Sequence, residues 1–232
     1  MFELSPYEME ALRLSLWVGV WSVGASLPFG ILAAWVLARL DFPGKTLLDS
    51  IIHLPLVLPP VVVGYLLMVL LGSRGVFGPL LHALNLRFMM DWKGAVLAAA
   101  VIAFPLMVRA IRLSLENIDR GLEDAARTLG ANRLRVFFTV TLPLMAPGIL
   151  TGAILCFARS LSEFGATITF AGNIQGETQT LPIALYTTIQ TAGAESEAAR
   201  LCAISVLVAF LTLWASEWMA RRVQNQIGVN RV

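Results

Sequence analysis

The chain has 232 residues, of which 57% are hydrophobic and only 14% charged. Soluble domains carry about 25% charged residues, so this chain has too little polar surface to cover itself in water, and lipid is its natural solvent. With a net charge of only +2, the placement of the charges says more than their sum.

The N-terminus carries Glu3, Glu8 and Glu10 before its first cation, Arg13. That is the wrong charge for the leading region of a cleaved signal peptide, so the first apolar run is expected to remain as a membrane anchor. A crossing helix needs about 20 apolar residues. Uncharged intervals of that kind occupy residues 14–38 and 50–73. A third core at 94–108 is short, and becomes long enough if Arg109 and Arg112 extend their heads to the interface. The fourth interval is 136–158 and the fifth about 201–220, with Glu217 near its end. Between them, residues 164–194 hold apolar clusters interrupted by Gly172, Gly176, Glu177 and Pro182. They read as a short helix, a loop and a partial helix on one side of the membrane. The fold class is therefore an all-α integral membrane protein with five transmembrane helices. One transmembrane domain covers 10–220, with short tails at 1–9 and 221–232.

Five spans divide the cations unevenly. Arg39, Lys45, the six arginines between 109 and 135, Arg221, Arg222 and Arg231 make eleven on one side, against six on the other. Excess Lys and Arg mark the cytoplasmic side, which puts the N-terminus outside and the C-terminus inside. A sixth span would carry Arg221 and Arg222 outside.

The loop between spans three and four, NIDRGLEDAARTLGANRLRVFF, lies on the cytoplasmic side of this arrangement. Ile118, Leu122, Ala125 and Leu129 are spaced for one face of a short helix. Asp119, Glu123, Asp124 and Arg127 fall to its other faces. Gly130 can turn the chain, and Asn132 can cap the next helical turn. The small pair Ala125 and Ala126 would let another protein's surface approach the backbone. The pattern alone also fits an amphipathic helix lying on lipid.

The run Asp124-Ala125-Ala126, then Gly130, then Val140-Thr141-Leu142-Pro143 resembles the signature of permease subunits of ABC importers. That signature is Glu-Ala-Ala, three residues, Gly, nine residues, and Ile-x-Leu-Pro. The spacing holds throughout; Asp124 and Val140 stand where Glu and Ile are usual. Residues 42–45, 53–65, 126–130, 135–139 and 158–167 resemble the molybdate branch of that family, so the resemblance covers nearly the whole chain. Sulfate permeases are similar over several of these stretches. The resemblance implies a coupling helix at Asp119, Leu122, Glu123, Asp124, Ala125, Ala126, Leu129 and Gly130. It implies two copies of a cytoplasmic ATPase, an external molybdate-binding protein, and a second permease copy sharing a central pathway. The same role for sulfate, thiosulfate or tungstate, and a non-transporting membrane scaffold, are the rival readings.

No catalytic constellation, metal cluster or cofactor motif is visible. Pro43-Gly44-Lys45-Thr46 imitates the end of a phosphate-binding loop, but the full pattern needs a Gly where Arg39 stands. A tight turn between spans one and two is the better reading, and ATP hydrolysis is assigned to a separate chain. His53 reads as a satisfied polar residue near a helix end. Cys156 and Cys202 read as two small buried side chains. Apart from lipid and protein, no partner is expected, and no nucleic acid.

Prolines in the second, third and fourth spans (Pro55, Pro59, Pro60, Pro105, Pro143 and Pro147) are expected to bend their helices. Gly148 and Gly152 permit close helix contact within or between subunits. Arg159 and Glu163 are spaced to pair, since an unpaired Glu163 would repel an anion. Ser160, Ser162, Thr167 and Thr169 supply weak hydroxyl donors nearby. Pro59, Pro60, Ser160, Glu163, Gly165 and Thr167 are the candidate pathway or gate residues.

Overall fold

The computed structural model describes residues 4–226, with side chains to Ala215 and at Trp218. Glu3, the tail at 227–232, the side chain of Glu217, and those of Arg221, Arg222 and Arg231 that entered the cation count lie outside the described residues. All regular structure among the described residues is helical.

Helix α1 spans Pro6–Arg39 and runs about 51 Å at 1.5 Å per residue, well beyond a hydrocarbon core of about 30 Å. Ser5 caps it and Glu8 reaches back to the Ser5 amide, so the helix starts inside the stretch assigned to the first tail. It ends at Leu40, and Gly44 then adopts a left-handed conformation that makes the turn into α2.

The second apolar run is not one straight helix. It divides into α2, Lys45–Val57, and α3, Pro60–Leu71, bent by 116°. Leu58 precedes Pro59, and Pro59 precedes Pro60; the steric clash with the following ring forces both into extended backbone, with ψ of 141° and 134°. Pro55 and Pro105, by contrast, lie inside unbroken helices, so the bends expected of them become no break in the chain. A six-residue α4, Gly78–Ala83, follows α3.

Helix α5, Trp92–Glu116, is the centre of the fold, with 67% of its apolar window buried. Ala95, Ala98, Ala99 and Ala103 are fully enclosed, and their small side chains let neighbouring helices approach. Ser22 of α1 donates to the Val96 carbonyl across this contact at 3.0 Å. Toward the end of α5, Arg109 lies exposed and Arg112 pairs with Asp49 and Glu116.

The loop helix α6 is Arg120–Thr128. The fourth span then begins with α7, Arg133–Val136, widens into a π-turn over Phe137–Thr141, and continues through α8, Leu142–Leu144. A 65° bend separates this stretch from α9, Ala146–Leu161. Pro143 lacks an amide donor and crowds the carbonyl four residues back, and the wide turn just before it relieves that clash. The sequence places a bend here, and the structure has one between Pro143 and Pro147.

Gly148 and Gly152 face α5. A Cβ at Gly152 would lie 3.0 Å from the Met107 carbonyl, and one at Gly148 would overlap the Ser114 side chain. Their close contact is therefore within the chain. Helices α10, Gly165–Phe170, and α11, Leu181–Ile189, flank the loop at 171–180, matching the helix–loop–helix reading of that segment. Over Glu195–Ala215, helix α12 (Glu195–Gln226) leaves nearly all of its apolar residues outside the core. Cys202 is among them and is exposed, unlike the buried Cys156, which corrects the expectation of two buried thiols.

Among the described residues, three helices are long and apolar enough to cross a membrane, or up to five if each bent pair counts as one crossing.

Candidate functional site

Helix α6 forms because Asp119 caps it, accepting from the Gly121 amide at 2.8 Å, and ends because Gly130 takes φ +86°. Asn132 then caps α7 by accepting from the Arg135 amide. The apolar face splits as the structure places it. Ile118 packs against the core shared by α1, α5 and α9, whereas Leu122 is 50% and Leu129 88% exposed, with Ala125 exposed between them. Ala126 is half-buried. Asp124 points to solvent and pairs with Arg127 at 2.9 Å.

Glu123, which the helical pattern assigns to a solvated face, turns inward instead and is only 7% exposed. Its Oε1 accepts from Arg39 at 3.0 Å and from the Thr141 hydroxyl at 2.8 Å. The helix thus holds the body of the protein by its one inward acid and offers its leucines outward.

Of the candidate pathway residues, Pro60 and Gly165 meet where α3 packs on α10, while Ser160 lies on α9. A Cβ on Gly165 would lie 2.9 Å from the Pro60 side chain, so glycine is needed for that approach. Pro59 caps α3 beside it. Glu163 is 2% exposed; its Oε2 pairs with Arg159 at 2.8 Å and its Oε1 accepts from the Ala166 amide at 2.9 Å. The expected ion pair is therefore present, and it also anchors the start of α10. Thr167 is buried in α10. The hydroxyls are less available than the sequence implies. Ser162 donates to the Arg159 carbonyl and Thr169 to the Gly165 carbonyl, while the Ser160 hydroxyl is enclosed without a partner.

Two further polar groupings escaped the sequence. Glu8 is buried and pairs with Arg200 at 2.8 Å, joining the first and last long helices. Its Oε2 accepts from the Ser5 amide at 2.8 Å, so both carboxylate oxygens are partnered. On α2, His53 lies 3.1 Å from Asp49, which also pairs with Arg112 of α5, so His53 is partnered within α2, as expected of a satisfied residue.

The family described as binding-protein-dependent transport system inner membrane component matches residues 26–225. The chain belongs to this family. It is 61% identical over 97% of its length, and 99% of the relative's, to the molybdenum transport system permease protein ModB of Escherichia coli (strain K12). It is 44% identical to the sulfate transport system permease protein CysW of Synechococcus elongatus, over 75% of this chain and 61% of that one. Among solved structures, a bacterial alginate ABC transporter matches with a TM-score of 0.75 at 20% identity, over 94% of this chain and 80% of that chain. That likeness is one of fold. As a family member, the chain is an integral membrane transport subunit.

Proposed function

We propose that the chain is the permease subunit of an ATP-driven importer of molybdate. The observation that carries this reading is α6. It bears the spacing of the family's coupling element, and among the described residues Leu129 and Ala125 stand exposed and Leu122 half exposed. The 61% identity to a molybdenum permease, against 44% to a sulfate permease, favours molybdate as cargo.

In this reading residues 10–220 form one transmembrane domain of five crossings. The pairs α2–α3 and α7–α9 each make one bent crossing, and the N-terminus lies outside with the C-terminus in the cytoplasm. Broken helices of this kind are common where a pathway opens at mid-membrane. Two copies enclose the route. Two ATPases, which supply the hydrolysis, dock against α6 from below through Leu122, Asp124, Ala125 and Leu129. A molybdate-binding protein caps the assembly near residues 164–197. Closure of the ATPases moves α6, and that motion passes into the spans and alternates the open side. Pro60 and Gly165 meet where α3 packs on α10, Pro59 and Thr167 belong to the ends and body of the same elements, and Glu163, neutralised by Arg159, presents no net repulsion to a dianion.

The test is assembly and stimulation. Purified with its ATPase and reconstituted, the complex is expected to hydrolyse ATP faster when the molybdate-loaded binding protein is added. Replacing Ala125 with a bulky residue is expected to separate hydrolysis from uptake. Normal uptake by that variant would remove α6 from the coupling role.

A further inference from the structure

The inward side of α6 is as specific as its outward side. Three elements far apart in the chain converge on one oxygen atom, Oε1 of Glu123. Arg39 is the last residue of α1, Glu123 lies on α6, and Thr141 is the last residue of the π-turn. Arg39 and Glu123 side chains are 10% and 9% exposed, and Thr141 is 2% exposed. A buried ion pair contributes little stability over an apolar replacement of the same size, so stability alone gives a weak reason for an acid here.

We infer that Glu123 is a positioning residue that ties the docking helix to both the first and the fourth span, so that displacement of α6 is delivered to α1 through Arg39 and to α9 through Thr141. Two further observations support this. The π-turn holds one residue more per turn than an α-helix. The Leu142 amide bonds the Phe137 carbonyl five residues back, and tightening that turn to α-helical bonding would rotate α8 and α9 relative to α7 by about 100° per residue absorbed. Thr141 sits at the end of this turn, immediately before Pro143 and the 65° bend. In addition, the Nε of Arg39 is enclosed and has no acceptor. A buried donor left unpaired in one arrangement is a reason for the cluster to favour another.

The inference rests on the coupling role proposed for α6, and the experiment separates the two. Thr141→Val, Thr141→Ser and Glu123→Gln variants are reconstituted with the ATPase and binding protein, and molybdate imported per ATP hydrolysed is measured. That ratio does not depend on how much protein folds. Thr141→Val is expected to lower it about tenfold, the worth of one hydrogen bond to a charged group in the favoured state. Thr141→Ser, which keeps the hydroxyl, is expected to restore it. Glu123→Gln keeps an acceptor for Thr141 but loses the charge facing Arg39, and is expected to fall between. A Leu129→Asp variant is read beside them. If it fails to couple while Thr141→Val and Glu123→Gln couple normally, the clamp is refuted and the docking helix stands. If Leu129→Asp also couples normally, the docking reading falls and the clamp falls with it.

Discussion

Leu122 and Leu129 offer a quantitative test of docking on α6. Leu129 is 88% exposed and Leu122 is 50% exposed. Fully burying a leucine side chain contributes about 1.5–3 kcal/mol. If the ATPase covers both, Leu129 contributes about 2 kcal/mol and Leu122, already half covered, about 1 kcal/mol. Truncating both to alanine is then expected to weaken the permease–ATPase complex roughly a hundredfold, at 1.4 kcal/mol per factor of ten. The two leucines are seven residues apart and share no partner within the chain, so the single variants should add. The assay is titration of labelled ATPase against permease in nanodiscs, with Leu80→Ala as the control, an exposed leucine on α4. Unchanged affinity in the Leu122→Ala, Leu129→Ala double variant would refute the argument that this open face is a docking surface.

Three other outcomes follow from packing and charge. Gly152→Leu should lower the detergent unfolding temperature, because even its Cβ would stand 3.0 Å from the Met107 carbonyl, and overpacking of this kind costs about 1–3 kcal/mol. Gly130→Val should destabilise the end of α6 by about 1–2 kcal/mol, since φ +86° is strained for a side chain although the space is open; faster amide exchange over 120–130 is the readout. Glu8→Gln leaves Arg200 facing a neutral amide across the contact of the first and last long helices, and should lower Tm at neutral pH, because removing one partner of a buried ion pair leaves the other charge uncompensated.

Helices α1 and α12 were legible because their apolar runs are long, and lipid demands that length; α5 was legible only by letting Arg109 and Arg112 extend beyond a short apolar core. The division of the second run was legible only as a proline-rich stretch. Its 116° bend depends on two consecutive prolines forcing two residues out of the helical region, whereas Pro105 is absorbed by a helix packed on both sides. Glu123 was misplaced for a different reason. Helical periodicity sends an acid beside Leu122 to solvent, but its burial depends on Arg39, 84 positions away. Glu8 and Arg200 are 192 positions apart, a pairing no local pattern carries. The outward leucines of α6 look wrong for a single chain and right for a subunit. The hydroxyls of Ser162 and Thr169 were countable in sequence, but their use by nearby carbonyls was not.

The most direct test of the account is uptake into proteoliposomes holding this chain, its ATPase and the binding protein, with labelled molybdate outside and ATP within. The account predicts ATP-dependent accumulation of molybdate that excess unlabelled molybdate abolishes and excess sulfate does not. Accumulation of sulfate in preference to molybdate would overturn the cargo, and no accumulation of either anion by an assembled, ATP-hydrolysing complex would contradict the importer reading itself.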